Sequence, residues 1–326
     1  MNLNLTKMMF LLMLIFSTIL TMSSSNWLTM WMGLELNLFS IIPIFNLKSN
    51  IYSIESTMKY FLIQAFASIL MLMLLLNKSM FFIKDYNMLI ILPLLMKLSL
   101  MPFHLWLPSM IEGLNWLACF LMMTWQKIAP MIMISYLFLN KTLLILILMI
   151  LMNSIFGMNQ NSLRKILAMS SINNSSWMMI MIIMNEMLWF NYFLIYSIIN
   201  LLIINIFYKY NINYINQIKF FNLSFFNKLN LFMLILSMMG LPPMIGFLMK
   251  WILIKMLIYN KFYMILIMLT LLTIFNLFFY LKMSYFLLFN FNLFNKWFFQ
   301  KKKKNKFNYL MFLNFLSMFI IYLLFY

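Results

Sequence analysis

The sequence predicts an all-α polytopic membrane protein of about eleven transmembrane helices, ten of them forming two inverted five-helix repeats. Three observations predict it. Hydrophobic residues make up 66% of the 326 residues and charged residues only 9%, with a mean hydropathy of +0.97; a soluble domain is about half apolar and about a quarter charged. Apolar runs of about 20 residues, the length that crosses a hydrocarbon core as a helix, recur from end to end. Two of those runs are broken by proline close to a lysine, at corresponding places in the two halves.

Apolar runs set off by polar punctuation place the helices in order. The first, 7–23, lacks a small-residue cleavage site and reads as a retained span. The second, 26–46, carries Glu35, and Lys59 opens the third, 57–76. The fourth, 88–108, contains Lys97, Pro102 and His104, and the fifth, 114–138, contains Lys127 three residues before Pro130. Runs at 143–157, 165–184 and 187–208 follow. The ninth, 229–258, is long enough to be bent or broken; Pro242 and Pro243 interrupt it ahead of Lys250. The tenth, 262–289, carries Lys282, and 307–325 closes the chain. Residues 1–326 thus form a single membrane domain, with repeat one at about 7–138, repeat two at about 143–289 and a C-terminal helix at about 307–325.

Charge orients these spans. With eleven crossings, the side of the N-terminus holds thirteen of the 23 basic residues: Lys7, Lys48, Arg164, Lys165, Lys209, Lys219, Lys228, Lys296, Lys301 to Lys304 and Lys306. Lys78, Lys84, Lys141, Lys255 and Lys261 fall on the other side. The positive-inside rule therefore puts the N-terminus in the matrix and the C-terminus in the intermembrane space of a mitochondrion. A basic loop beside a span is a topology anchor or a contact for anionic lipid such as cardiolipin, so a nucleic-acid partner is not expected. The mitochondrial reading comes from composition: there is no valine, one arginine and 39 methionines. A code that reads ATA as Met produces that surplus in an AT-rich gene, which implies mitochondrial DNA.

Five lysines remain inside spans, together with a single carboxylate, Glu35. Lys59 and Lys282 lie near span ends and can extend their stems to the interface. Glu35, Lys97 and Lys127 lie deep, where a charge costs about 3 kcal/mol on insertion scales, so they should face the interior of the bundle, pair, or adjoin buried water. A lysine exchanges its proton under the influence of burial and of neighbouring charge, so Glu35, Lys97, Lys127 and Lys250 are the candidate proton-transfer residues, with Lys127 as the central relay. A static buried ion pair is the alternative. His104 has two readings: a proton shuttle, or a side chain that satisfies backbone groups freed by Pro102.

Cys119 is the only cysteine and His104 the only histidine, so neither a metal site, a haem nor an iron–sulfur cluster can be built from this chain alone. No glycine-rich nucleotide-binding motif is present. Any redox chemistry must belong to partners.

The segments WMGLELNLFSIIPI, STMKYFLIQAFAS, MKLSLMPFHLWLPSMIEG, LMMTWQKIAP, GMNQNSLRKILAMSSI and GLPPMIGFLMKW occur in that order. Together they closely resemble the chain 2 family of mitochondrial NADH:ubiquinone oxidoreductase, respiratory complex I. The resemblance runs from about residue 26 to 285. It implies an antiporter-like subunit of the membrane arm that takes part in moving protons from matrix to intermembrane space, driven by NADH oxidation and ubiquinone reduction in other subunits. It places the family's proton-pathway glutamate on Glu35, its broken-helix lysines on Lys97 and Lys250, and its central lysine on Lys127. NADH, FMN, iron–sulfur clusters and ubiquinone would belong to partner subunits, and the neighbours would be other antiporter-like and small hydrophobic chains in the mitochondrial inner membrane. Where the family commonly has His and Gly, this chain has Asn174 and Ser176; Asn takes up no proton at physiological pH, so no proton role is expected at 174. The lysine-rich loop at 296–306 also looks particular to this sequence. A free-standing cation/proton antiporter of related fold and an inert structural spacer are the competing readings.

Overall fold

A computed structural model of the chain describes residues 5–46, 50–80, 86–137, 157, 160–184, 187–219, 225–242 and 244–288. Among these the chain is helical: α1 (Leu5–Ser23), α2 (Trp27–Phe45), α3 (Ile51–Met80), α4 (Tyr86–Leu98), α5 (Trp106–Ile111), α6 (Trp116–Met123), α7 (Trp125–Ser135), α8 (Leu163–Met184), α9 (Leu188–Tyr210), α10 (Ile215–Lys219), α11 (Phe225–Met239), α12 (Ile245–Tyr259) and α13 (Tyr263–Leu288). The expected spans at 143–157 and 307–325, Pro243, and the lysines Lys48, Lys84, Lys141, Lys296, Lys301 to Lys304 and Lys306 lie outside the described residues.

Helices dominate because lipid offers backbone N–H and C=O groups no partner, so each segment must satisfy its own. Among the described residues seven stretches are long and apolar enough to cross a membrane by length and composition, the run Trp116–Ser135 of α6 and α7 counting as one. Hydroxyls are accommodated in the same way: Ser17, Thr21, Ser40, Ser170 and Ser171 donate back to carbonyls three residues earlier, at 2.7–2.8 Å. Large apolar side chains point outward from α1 (Leu12, Met13, Phe16, Ile19) and from α13 (Met264, Ile267, Ile274, Phe278), each more than half exposed. In water such faces would be a liability; against lipid tails they cost nothing. The α8 span is instead almost entirely buried.

Two departures from the sequence-based boundaries matter. The third span opens at Ile51, six residues before the expected start at 57, so Lys59 sits two turns into the helix and pairs with Glu55 at the exposed i,i+4 position. The fifth span divides at Thr124 into α6 and α7.

The chain forms two compact units. One comprises Met1–Asn153 with Leu167–Trp189, the other Ser154–Ile166 with Phe190–Tyr326. Within the first, α1 packs on α2, α2 on α3, α3 on α4 and α5, and α7 on α4, α6, α1 and α2. Gly33 lets α1 and α2 approach: a Cβ there would lie 2.4 Å from Thr21 Cγ2 and 3.2 Å from the Ser17 carbonyl oxygen. Within the second, α13 packs on α10, α11 and α12, and α11 also packs on α12.

Candidate functional site

The first helix break builds one side of the site. α4 ends in a Schellman cap: Leu100 N–H donates to Leu95 C=O at 3.0 Å, Ser99 N–H donates to Met96 C=O at 3.1 Å, and Ser99 adopts φ 58°. The chain then passes through the cis Met101–Pro102 peptide and resumes as α5. This termination leaves Lys97 in the last turn of α4, 7% exposed, where the carbonyl ends of the helix favour a cation. The Lys97 carbonyl, without its helical partner, accepts from Gln64 Nε2 on α3 at 3.4 Å.

The central lysine is positioned by a second interruption. Pro130 lies inside α7; it has no N–H for the Gln126 carbonyl, and its ring crowds that carbonyl. The ladder opens just upstream, where Thr124 departs from helical geometry at φ −118°, ψ −77°. Lys127 follows one turn later, 3% exposed, and its Nζ donates to the Ser171 carbonyl at 2.7 Å and to Ser175 Oγ at 3.4 Å, both on α8. Ser170, Ser171, Asn173, Asn174, Ser175 and Ser176 make a buried polar band on that helix. The residues that stand for the family's His and Gly, Asn174 and Ser176, belong to this band, 7% and 6% exposed.

A polar chain links these pieces to the helix of Glu35. Tyr60 Oη donates to Gln126 Oε1 at 3.0 Å, and Gln126 Nε2 donates to Asn37 Oδ1 at 2.9 Å. Asn37, Tyr60 and Gln126 are all buried. Beside them lies a cavity of about 10 Å³ whose walls include Tyr60, Gln64, Lys97, Trp106, Gln126 and Lys127. Two of the expected proton-transfer lysines therefore border one space. Glu35 stands on α2 with Oε1 buried and without a hydrogen-bond partner. No ion pair joins it to Lys97.

The second break repeats the first with a different reach. α11 ends in a Schellman cap at Gly240, φ 74°, with Leu241 N–H aimed at the Leu236 carbonyl at 3.5 Å. Lys250, one and a half turns into α12 and 7% exposed, turns its Nζ back to the Met239 carbonyl at 2.8 Å. Lys97 thus precedes its break while Lys250 follows its own. Lys250 bonds a carbonyl at the end of one interrupted helix, and Lys97 lies in the last turn of the other.

His104 is 3% exposed in the unwound stretch between α4 and α5. Lys282 Nζ donates to Asn161 Oδ1 at 2.9 Å, and Lys59 meets Glu55, so both near-surface lysines take local polar partners. Among the described residues no group of three or more His, Cys, Asp or Glu could hold a metal ion. Sequence reasoning missed Asn37, Tyr60, Gln64, Gln126, Ser171 and Ser175. Their signal was available: amides and hydroxyls inside otherwise apolar spans need partners just as charges do.

Comparison with known proteins places this geometry. The family described as NADH:quinone oxidoreductase/Mrp antiporter, transmembrane, matches residues 24–85 and 73–276. The chain is 43% identical over 307 residues to NADH-ubiquinone oxidoreductase chain 2 of Anopheles gambiae, covering 91% of this chain and 90% of that one. It is 40% identical to the chain 2 protein of Aedes aegypti, covering 94% of each. Among solved structures, respiratory complex I from Thermus thermophilus with bound aureothin contains a chain with TM-score 0.79 at 19% identity, covering 87% of this chain and 71% of that one. The Mrp complex from Dietzia contains another with TM-score 0.70 at 12% identity, covering 84% and 59%. At these identities the structures share the fold.

Proposed function

The chain belongs to the NADH-ubiquinone oxidoreductase chain 2 family, and from that premise we propose that Glu35, Lys97, Lys127 and Lys250 carry protons for a membrane subunit of respiratory complex I. The chain is a core membrane-arm subunit of that NADH:ubiquinone oxidoreductase, antiporter-like in fold. NADH, FMN, iron–sulfur clusters and ubiquinone are assigned to partner subunits, which leaves this chain to couple their energy to proton movement from matrix to intermembrane space.

The observation that carries the assignment is how the lysines are held. Lys97 and Lys127 are buried, border the same cavity, and neither is ion-paired with a carboxylate. Lys127 is held by a carbonyl and a hydroxyl, and Lys250 likewise reaches a carbonyl. Carbonyl and hydroxyl dipoles can hold an ammonium, and unlike a salt bridge they do not fix its charge state through a counter-ion. That disfavours the static ion pair and supports an exchangeable proton. Glu35 is the switch in this reading, since a carboxylate near a buried amine favours the charged form of that amine.

Moving one charge against the membrane potential costs about 2.3 kcal/mol per 100 mV, so energy must arrive from partners. The relatives of the chain, both named as chain 2 of NADH-ubiquinone oxidoreductase, favour a complex I subunit over a free-standing antiporter. The finer location follows the same reading: mitochondrial inner membrane, N-terminus in the matrix, C-terminus in the intermembrane space, a mitochondrial gene, and anionic lipid such as cardiolipin at the basic loops. The test is proton uptake by the complex in sealed vesicles. Lys127→Met and Lys97→Met should each reduce pumping at least tenfold relative to the redox rate released by an ionophore. Pumping at the original level in both would overturn the assignment.

A further inference from the structure

The cavity shared by Lys97 and Lys127 has a wall residue that the proton-transfer assignment does not use. Trp106, at the start of α5, is 9% exposed, stacks obliquely with Tyr60 at 6.2 Å between ring centroids, and has its Nε1 buried with no hydrogen-bond partner. An indole N–H can only donate, and leaving one unmade in an interior is costly. The cavity it borders is about 10 Å³, room for a single water oxygen, and two to four polar partners are what such a water needs.

Water-mediated passage between Lys97 and Lys127 belongs to that assignment, and we propose that Trp106 is the positioning residue of this cavity, donating its indole N–H to the oxygen of a single water held there. The inference rests on the proton-transfer role assigned to the two lysines. The donor pattern of the other walls supports it. The Tyr60 hydroxyl hydrogen is committed to Gln126 Oε1, and one Gln126 amide hydrogen is committed to Asn37. Toward the cavity, Tyr60 therefore offers an acceptor oxygen. A water held by Trp106 has one lone pair and two hydrogens left: the lone pair accepts from whichever lysine is an ammonium, and the hydrogens go to the neutral amine of the other lysine and to Tyr60 Oη.

Transfer is then balanced. An N–H bond of the Lys97 ammonium breaks as an O–H bond forms on the water. An O–H bond of the water breaks as an N–H bond forms on the Lys127 amine. The water is regenerated and one positive charge has moved. Its lone pair and hydrogens now point the wrong way for a second transfer, and rotation about the Trp106 N–H···O axis resets them without loss of the anchor. The amides of Gln126 and Asn37 release no proton, so the polar chain toward α2 positions the site and does not conduct.

The experiment compares the complex carrying Trp106→Phe, which keeps an aromatic ring and removes the donor, with the original and with Trp106→His, which restores a ring N–H. Proton uptake is read in sealed vesicles and normalised to the ionophore-released redox rate, alongside a high-resolution map of each. Loss of one neutral hydrogen bond to the relay corresponds to about a fivefold fall for Trp106→Phe. Trp106→His is expected to recover part of it, and the original map should show a water within hydrogen-bond distance of Trp106 Nε1. Unchanged pumping in Trp106→Phe, or an original map in which Nε1 meets no water, overturns the proposal. If Trp106→Phe does not assemble, the original map alone decides. Lys97→Met and Lys127→Met in the same vesicles separate the two ideas: if they still pump, the proton-transfer assignment fails, and if they stop while Trp106→Phe does not, only the role of Trp106 fails.

Discussion

Gly240 shows what a single residue does for the lysine ten positions away. A Cβ built there would lie 2.8 Å from Lys250 Nζ, 2.9 Å from Cδ and 3.0 Å from Cε, at a backbone φ of +74°. Gly240→Ala therefore combines a left-handed conformation, costing about 1–2 kcal/mol, with a forced movement of Lys250 off the Met239 carbonyl. Both a lower unfolding temperature of the complex and a fall in normalised proton uptake are expected; uptake at the original level would mean that the contact of Lys250 with Met239 does not matter. Glu35 predicts the opposite division. Because its buried oxygen makes no hydrogen bond, Glu35→Gln should not lower stability while it reduces pumping; an equal loss of both would make Glu35 a structural residue. At this scale the sequence made the charged residues conspicuous, since a charge deep in lipid needs a reason. Their partners were hidden, because a long lysine stem can reach across a break and pair with a backbone carbonyl that carries no residue-specific signal.

The helix breaks were the most legible elements. Pro102 announces the first and Pro242 with Pro243 the second, since each proline takes an N–H out of a run otherwise long enough to cross. Thr124 was not legible, because nothing at that position is a breaker. The caps themselves follow one rule, a Schellman turn with a positive φ at Ser99, Asn211, Gly240 and Lys261. Glycine occupies this place in one of the four. Ser99 is the cap at the first break, and φ 58° at a non-glycine residue costs about 1–2 kcal/mol, which a β-branched side chain makes worse. Ser99→Val should lower the amount of assembled, heat-stable complex, whereas Ser99→Gly should match or exceed the original. Equal thermal stability of the two variants would show that the cap does not control the break.

At the scale of the whole chain, the pattern of basic residues can be tested against how the second compact unit is tied at one end. There, Arg164 Nη2 donates to Asn213 Oδ1 at 3.0 Å, Leu163 N–H to the Asn213 carbonyl at 2.9 Å, Ile215 N–H to the Asn161 carbonyl at 3.2 Å, and Lys282 Nζ to Asn161 Oδ1 at 2.9 Å. These contacts gather the start of α8, the end of α9, α10 and the last turns of α13, bringing Arg164, Lys165, Lys209, Lys219 and Lys282 to one end. Lys261 precedes the 26-residue α13, and a rise of 1.5 Å per residue puts it about 30 Å from Lys282, a full hydrocarbon thickness away. Sequence reasoning assigned Arg164, Lys165, Lys209, Lys219 and Lys228 to the matrix side, with Lys255 and Lys261 opposite, by counting spans, two of which lie outside the described residues. The contacts group Arg164, Lys165, Lys209 and Lys219 at one end of this unit, and the length of α13 sets Lys261 apart from them. A membrane-impermeant amine reagent applied to mitoplasts should therefore modify Lys255 and Lys261 while sparing Lys165 and Lys209, which react only after the inner membrane is opened. The reverse pattern would invert the orientation and leave the grouping intact. Lys209 and Lys261 reacting together from one side would break the grouping, and with it the assignment of α13 as a full crossing.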